Sequence, residues 1–453
     1  MRDIGLIIIV LCCALVALRS PVFGMLTFVC FGLFNPQGMT WGIGREFPLA
    51  MVMASATIIS FVLWSEPKRL PFQRESLFMF ALWAVFGLST IFAVYPDRAV
   101  PFFSHISKVL FMALFMTAII NTPMRIQLLM RVIGLSLGLL AVKGFFFSIG
   151  TGGNFRVFGP EGTFLEGANP LGMAFAMNIP ILMYLLETET HARMRMIVFF
   201  MIGASALATI FTYSRGAWLA LAMTMGLSII RHKNRFMLVP ALILIGIIGL
   251  PAISVMAPEK LHDKYDELIH YESDRSAQSR FWNWEFCARV GLAHPLTGGG
   301  ANFYSLESYA RYYPEFLDEW PGKVWSCHSM WFTIFGEHGF AGFFLWCGLL
   351  ASTFFSLQKL KRFGGDAEAF SAIRYCAKMI EISLASFMVA GSFFDAAYFD
   401  LFYEMIAVVI ILKSQAENSL SLASSASGKA QVSWSASSEI GLSNEKNGLA
   451  PIP

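Results

Sequence analysis

Three short stretches of this chain carry residues that could hold an anionic leaving group and take a proton. Arg215 lies in Thr212-Tyr213-Ser214-Arg215-Gly216-Ala217-Trp218, between two apolar runs that leave almost no loop. A guanidinium set at a helix start near a membrane interface is costly unless it is paired. Its planar fork binds phosphate oxygens two at a time, which suits a diphosphate. Arg280 opens the polar stretch Arg280-Phe281-Trp282-Asn283-Trp284 and is a candidate second phosphate clamp. His328, in Ser326-Cys327-His328-Ser329-Met330-Trp331, is read as opening a long apolar helix. A neutral imidazole at that boundary can accept a proton near pH 7. The plain alternatives are an interfacial anchor for Arg215 and a backbone-bonded helix-end residue for His328.

Other ionisable residues invite smaller roles. Arg156 lies in the loop Gly150–Gly167 with Glu161 and Glu166 nearby. It could contact a donor phosphate or sugar, or pair with those carboxylates. Glu337 and His338 come nine and ten residues after His328. On one continuous helix, at ~1.5 Å per residue, that is roughly 14–15 Å deeper. Nine steps of about 100° put Glu337 on the face opposite His328. Glu337 is therefore expected to satisfy a neighbouring helix, and His338 is a candidate second functional histidine. Gly339 and Gly342 fit close helix packing. Arg45, Arg98, Arg289 and Arg311 read as local ion pairs or headgroup contacts.

The elements that must position these residues are membrane helices. Of 453 residues, 56% are hydrophobic and only 14% charged, against about 25% charged in an average soluble domain. With 44 Phe, 24 Met and 11 Trp, such a chain cannot cover its own core with polar surface. Apolar runs near membrane-spanning length recur at about 4–18, 21–34, 47–64, 76–94, 102–120, 128–149, 168–186, 195–211, 215–230, 236–257, 328–357, 374–392 and 398–413. The expected fold is an all-α integral membrane protein, a polytopic bundle of about 12–13 transmembrane helices with one larger extramembrane segment. The first two runs are short and split by Arg19-Ser20-Pro21, as a tight hairpin or one broken element. The amino end is not read as a cleaved signal peptide: its only early basic residue is Arg2, and no small-x-small site follows.

One set of alternate loops holds thirteen basic residues, including Lys68, Arg69, Arg125, Arg193, Lys233, Lys359 and Arg374. The other set holds Arg45, Arg98, Arg156 and Arg215. The rich set is expected in the cytoplasm. The chain then divides into amino-terminal helices (1–257), an external segment (258–327), carboxy-terminal helices (328–413) and a disordered, Ser/Ala/Gly-rich cytoplasmic tail (414–453).

That layout limits the chemistry. An external segment of 70 residues is too small for a usual nucleotide-binding domain. There is no G-x-x-x-x-G-K-[ST], no D-x-D, and no His/Cys cluster with metal-ligand spacing, so neither a cofactor nor a metal is expected. The net charge of +3 gives no support for a nucleic-acid partner. Five of the seven cysteines sit in apolar runs. Cys287 and Cys327 share the polar segment and could pair if it faces an oxidising compartment.

Taken together the motifs resemble the O-antigen ligase and polymerase superfamily of bacterial envelope glycosyltransferases. The resemblance rests on Ser214-Arg215-Gly216 at a helix start, on Arg280 to Trp284 followed by the turn Pro295 to Gly300, and on His328-Ser329 with Glu337-x-Gly339-x-x-Gly342 further along. Met1-Arg2-Asp3-Ile4, Asn35-Pro36-Gln37, Thr40-Trp41-Gly42 and Phe47-Pro48 look like the O-glycosylation ligases associated with exosortase A systems. The resemblance implies a multi-pass protein of the bacterial inner membrane with a periplasm-facing site. It implies transfer of a glycan from an undecaprenyl-diphosphate carrier to an acceptor hydroxyl on a glycan, protein or lipid. It adds Ser214 and Trp282 to Arg156 as candidate substrate contacts, beside His328 as base and Arg215 and Arg280 as diphosphate clamps. Such a donor is already activated, so ATP and a metal are not needed, and direct displacement would invert the anomeric centre. The competing readings are a polysaccharide polymerase of the same superfamily, a transporter of lipid-linked glycan, and a scaffold without chemistry of its own.

Overall fold

The computed structural model describes residues 2–40, 42–231, 275–364 and 368–419. Among these residues there are helices and no strand. The helices are α1 (Arg2–Ala17), α2 (Pro21–Phe34), α3 (Ile43–Glu46), α4 (Leu49–Leu63), α5 (Arg74–Ile91), α6 (Pro96–Ile119), α7 (Pro123–Gly150), α8 (Ala168–Thr188), α9 (Ala192–Ile210) and α10 (Arg215–Arg231). After the undescribed stretch come α11 (Arg275–Ala293), α12 (Leu306–Tyr312), α13 (Pro314–Glu319), α14 (Met330–Lys361), α15 (Glu368–Gly391) and a last helix, α16, over 400–419. Six of them (α5–α9 and α14) are long and apolar enough to cross a membrane, and α1, α2, α4 and α10 are shorter apolar helices. The chain is an all-α polytopic membrane protein. The predicted span 236–257 and the predicted tail beyond 419 lie outside the described residues. The last helix runs past the predicted end at 413.

Local sequence explains the ends of these helices. Ser20 accepts a hydrogen bond from the Phe23 amide, and Pro21 occupies the first helical turn. That pair closes one helix and starts the next, so the first two runs form a hairpin. Thr122 and Pro123 repeat the device at the start of α7. The core is built around α8, which is buried along most of its length and packs on α7, α9, α10 and α15. Gly172 lets α8 approach the start of α10, because a Cβ there would lie 2.6 Å from the Ala217 side chain.

The two ends of the bundle differ in charge. At one end Arg125 pairs with Glu66, Arg131 with Glu189, Lys361 with Glu381, and Lys413 with the fully buried Glu75. Glu75 also accepts from Ser352 and Ser356, which satisfies a carboxylate that would otherwise be very costly at that depth. At the other end the sparse loops meet one another. Val94 donates its amide to Gly299, Arg98 reaches the Tyr304 carbonyl, and Arg45 pairs with Glu161 at 2.6 Å.

Candidate active site

The polar segment that follows α11 is anchored in a break of α14. That helix is not continuous as predicted: Gly339 has φ 62° and interrupts it. The turn Pro295–Gly300 fills the gap. The Gly299 amide donates to the Gly336 carbonyl (2.8 Å), the Gly300 amide to the Glu337 carbonyl (3.0 Å), and the Phe340 amide to Pro295 (2.7 Å). Backbone groups freed by the break are therefore paired with the turn, as a membrane interior requires. Gly298 and Gly339 both have positive φ, and a Cβ on Gly339 would lie 2.5 Å from the Pro295 carbonyl oxygen. The glycines of the two motifs serve one joint, not the helix–helix packing expected for Gly339.

Glu337 is the side-chain clasp of that joint. Its carboxylate accepts from the Asn302 amide (3.0 Å), the Tyr304 hydroxyl (2.9 Å) and the Tyr398 hydroxyl. His338 Nε2 lies 2.7 Å from the same Tyr398 hydroxyl. Both side chains are buried, and their polar contacts run to structural partners. Burial pushes the Tyr304 phenol well above its usual range, which keeps it a neutral donor.

His328 does not open α14 as expected. It has φ 50°, in the left-handed region, and Ser329 is the residue that caps the helix. His328 therefore lies outside the helix that carries Glu337, and Glu337 bonds Asn302, Tyr304 and Tyr398 and not the imidazole. The strained backbone turns the imidazole toward the short connection between α15 and α16. There Asp395 lies 3.8 Å from His328 Nδ1. Ser326 bridges the two: its hydroxyl donates to Asp395 Oδ2 and sits 3.4 Å from His328 Nδ1. Thr333 fixes the other Asp395 oxygen at 2.6 Å. Burial lowers the pKa of His328 below its ordinary value, Asp395 opposes this, and Arg280 adds to it. The imidazole is thus neutral and oriented at neutral pH, as a proton acceptor must be.

Both arginine motifs converge on the same connection. Gly216, next to Arg215, packs directly on the Phe393 side chain, where an added Cβ would come within 3.3 Å. The Arg280 guanidinium lies 6.0 Å from the Phe393 ring centre and acts on His328 electrostatically. Trp331 donates its indole N–H to Ser392. Residues 392–395 are therefore the hub around which the start of α10, the start of α11 and His328 are arranged.

The remaining candidates have local partners. Arg156 donates to the carbonyls of Thr212 (3.2 Å) and Tyr213 (2.8 Å), so it pins the 150–167 loop beneath Ser214. It does not pair with Glu161 or Glu166: Glu161 holds Arg45, and Glu166 accepts from the Gly162 amide. Ser214 caps α10 by accepting from the Ala217 amide. Trp282 stacks on Tyr313 within the aromatic core of the external segment. Arg289 holds Glu285 and Glu315 and covers the Tyr313 ring. The possible pairing of Cys287 with Cys327 is present as a disulfide, with Cα atoms 5.9 Å apart. It ties α11, which carries Arg280, to the residue preceding His328. Asp395 and Tyr398 were not singled out from sequence. Asp395 is the one polar residue in the gap 393–397 between two apolar runs, and Tyr398 opens the second run.

Residues 198–347 match the family model described as O-Antigen ligase. Residues 1–190 match a family of unknown function (DUF5935). No curated protein matches the chain. The ligase match covers Arg215, Arg280, the Pro295–Gly300 turn, His328 and Glu337, so this third of the chain is similar to O-antigen ligases.

Proposed function

We propose that the protein is a glycan ligase that transfers a glycan from a polyprenyl diphosphate, of the undecaprenyl type, to an acceptor hydroxyl on the periplasmic side of the inner membrane. The carrying observation is the convergence of the arginine motifs and the His328–Asp395 pair on residues 392–395. In this reading His328 takes the proton of the acceptor hydroxyl. The oxygen attacks the anomeric carbon, the bond to the diphosphate breaks, and the polyprenyl diphosphate leaves with the electron pair. Arg215 and Arg280 stabilise the charge that grows on that leaving group. A single displacement of this kind inverts the anomeric centre. Asp395 holds the imidazole in place and favours its charged form once the proton has arrived. The Cys287–Cys327 disulfide supports an oxidising compartment for the site. The exosortase-associated subtype rests on the amino-terminal resemblance alone.

The test is reconstitution with an undecaprenyl-diphosphate-linked glycan and a cell-envelope extract, without ATP or divalent metal. Release of undecaprenyl diphosphate that needs acceptor, Arg215 and His328 is the expected result. The product mass separates a ligase from a polymerase. Movement of the intact glycolipid across the bilayer without release would replace this reading with a transporter.

A further inference from the structure

A cavity of about 640 Å³ is walled by α2, α3, α4, α6 and α16. Its two halves differ in character. At one end, α6 presents His105 and Lys108, three residues apart and so on one face, and α16 presents Asp400 and Glu404, four apart. His105 is the basic neighbour of Asp400. Glu404 Oε2 is buried without a hydrogen-bond partner. Away from that end the walls turn apolar, with Met25 of α2, Ile58 of α4, and Met112 and Met116 of α6. Such a slot, polar at one end and apolar along the helices, is shaped for a membrane amphiphile lying parallel to them.

Ionisable residues at membrane depth mark a functional site unless they are paired. Six line the cavity: Arg45, which pairs with Glu161, and Glu46 lie on α3, and the four on α6 and α16 form two walls of opposite sign whose pattern selects the ligand. A diphosphate head carries only negative charge and would meet Asp400 and Glu404. A lone ammonium would meet Lys108. A head with a phosphate next to a primary ammonium satisfies both walls, and its N–H donors match the unpartnered Glu404 oxygen.

We propose that this cavity binds a phosphoethanolamine-headed phospholipid, with the phosphate on Lys108 and His105, the ammonium on Asp400 and Glu404, and one acyl chain along α2, α4 and α6. The proposal does not depend on the glycan-transfer reading, because the cavity lining includes none of Arg215, Arg280 and His328. Its place in the fold gives it a consequence. Phe102 of α6 packs against Tyr398, with ring centres 4.6 Å apart, and Tyr398 clasps Glu337. A lipid that bridges α6 and α16 would brace the connection that carries Asp395.

The experiment uses the full-length protein, delipidated in detergent and titrated with phosphatidylethanolamine, phosphatidylcholine or phosphatidylglycerol. Native mass spectrometry reads occupancy and thermal melting reads stabilisation. One ethanolamine lipid is expected to be retained with about tenfold preference over the other two, the scale of one charge-assisted hydrogen bond. Glu404→Gln should erase the preference over phosphatidylglycerol, and Lys108→Gln should weaken all three lipids. Ala54→Phe fills the slot from α4 without touching a charge and should abolish retention. His328→Ala should bind lipid like the wild type even where glycan transfer is lost, so failure of one reading is distinguishable from failure of the other. Equal binding of the three lipids by the wild type overturns the proposal. So does an unchanged preference in folded Glu404→Gln and Ala54→Phe protein.

Discussion

At the residue scale, the chemistry turns on how His328 is held. A left-handed backbone at a non-glycine residue costs roughly 1–2 kcal/mol, and His328 bears it at φ 50°. Asp395, in the connection between α15 and α16, and Ser326 then hold the imidazole, while Thr333 of α14 holds Asp395. Asp395 and Arg280 act on the histidine in opposite directions, so their removal should separate cleanly in pH profiles. Burial places the acid limb of kcat/KM below the ordinary histidine value of about 6.5, and activity falls as pH drops through that limb. Asp395→Asn removes a group that favours the charged imidazole, so the limb should move to still lower pH while kcat falls about a hundredfold. Arg280→Ala removes a group that disfavours it, so the limb should move up. A profile that stays put in both variants would show that His328 is not the titrating base. Arg215, Arg280 and His328 were legible because a cation or an imidazole is out of place on the sparsely charged side. Asp395 was not, since one carboxylate between two apolar runs has no spacing relation to His328 and meets it only through the fold.

At the scale of elements, the site depends on one joint, where the Pro295–Gly300 turn fills the break of α14. Sequence reading found both glycine motifs but took them as a turn and a packed helix. A glycine in an apolar run reads the same whether it permits close packing or a positive φ, and the difference lies in the partner. Gly298→Ala and Gly339→Ala should each lower the melting temperature, with a cost of at least about 1–3 kcal/mol, because the backbone is left-handed and the added Cβ meets main-chain atoms. Gly226→Ala, in the middle of α10 with open space around it, should be neutral or stabilising. The disulfide is the second fastener. With the cysteines 40 positions apart in sequence, loss of the cross-link costs about 3–4 kcal/mol on the chain-entropy account. Cys287→Ser or mild reduction should loosen the external segment first, read as a change in fluorescence from Trp282, Trp284, Trp320 and Trp325. Transfer activity should fall with it, while the membrane helices stay folded.

At the scale of the whole molecule, hydropathy and loop charge carried the most. Composition alone demanded a bilayer, and the recurring apolar runs predicted most helices within a few residues. What they could not supply was the partner of each buried charge. Glu75 reads as an ordinary helix-start acid, yet the fold buries it and closes it with Lys413 from the far end of the chain. Loops of the basic set meet at one end of the bundle, and loops of the sparse set, with the candidate site, meet at the other. The positive-inside rule predicts that the basic end faces the cytoplasm. A pair of single-cysteine variants tests that orientation on a background lacking the five free cysteines. Leu296→Cys, in the turn beside the site and 72% exposed, should react with a membrane-impermeant maleimide in intact spheroplasts. Phe72→Cys, between α4 and α5 and 68% exposed, should react only after lysis. The reverse pattern would put the site in the cytoplasm. There the Cys287–Cys327 bridge would be exposed to reductants, and a polyprenyl diphosphate donor on the outer leaflet would be out of reach. Orientation therefore decides between the proposed transfer reaction and any reaction that draws on cytoplasmic substrates.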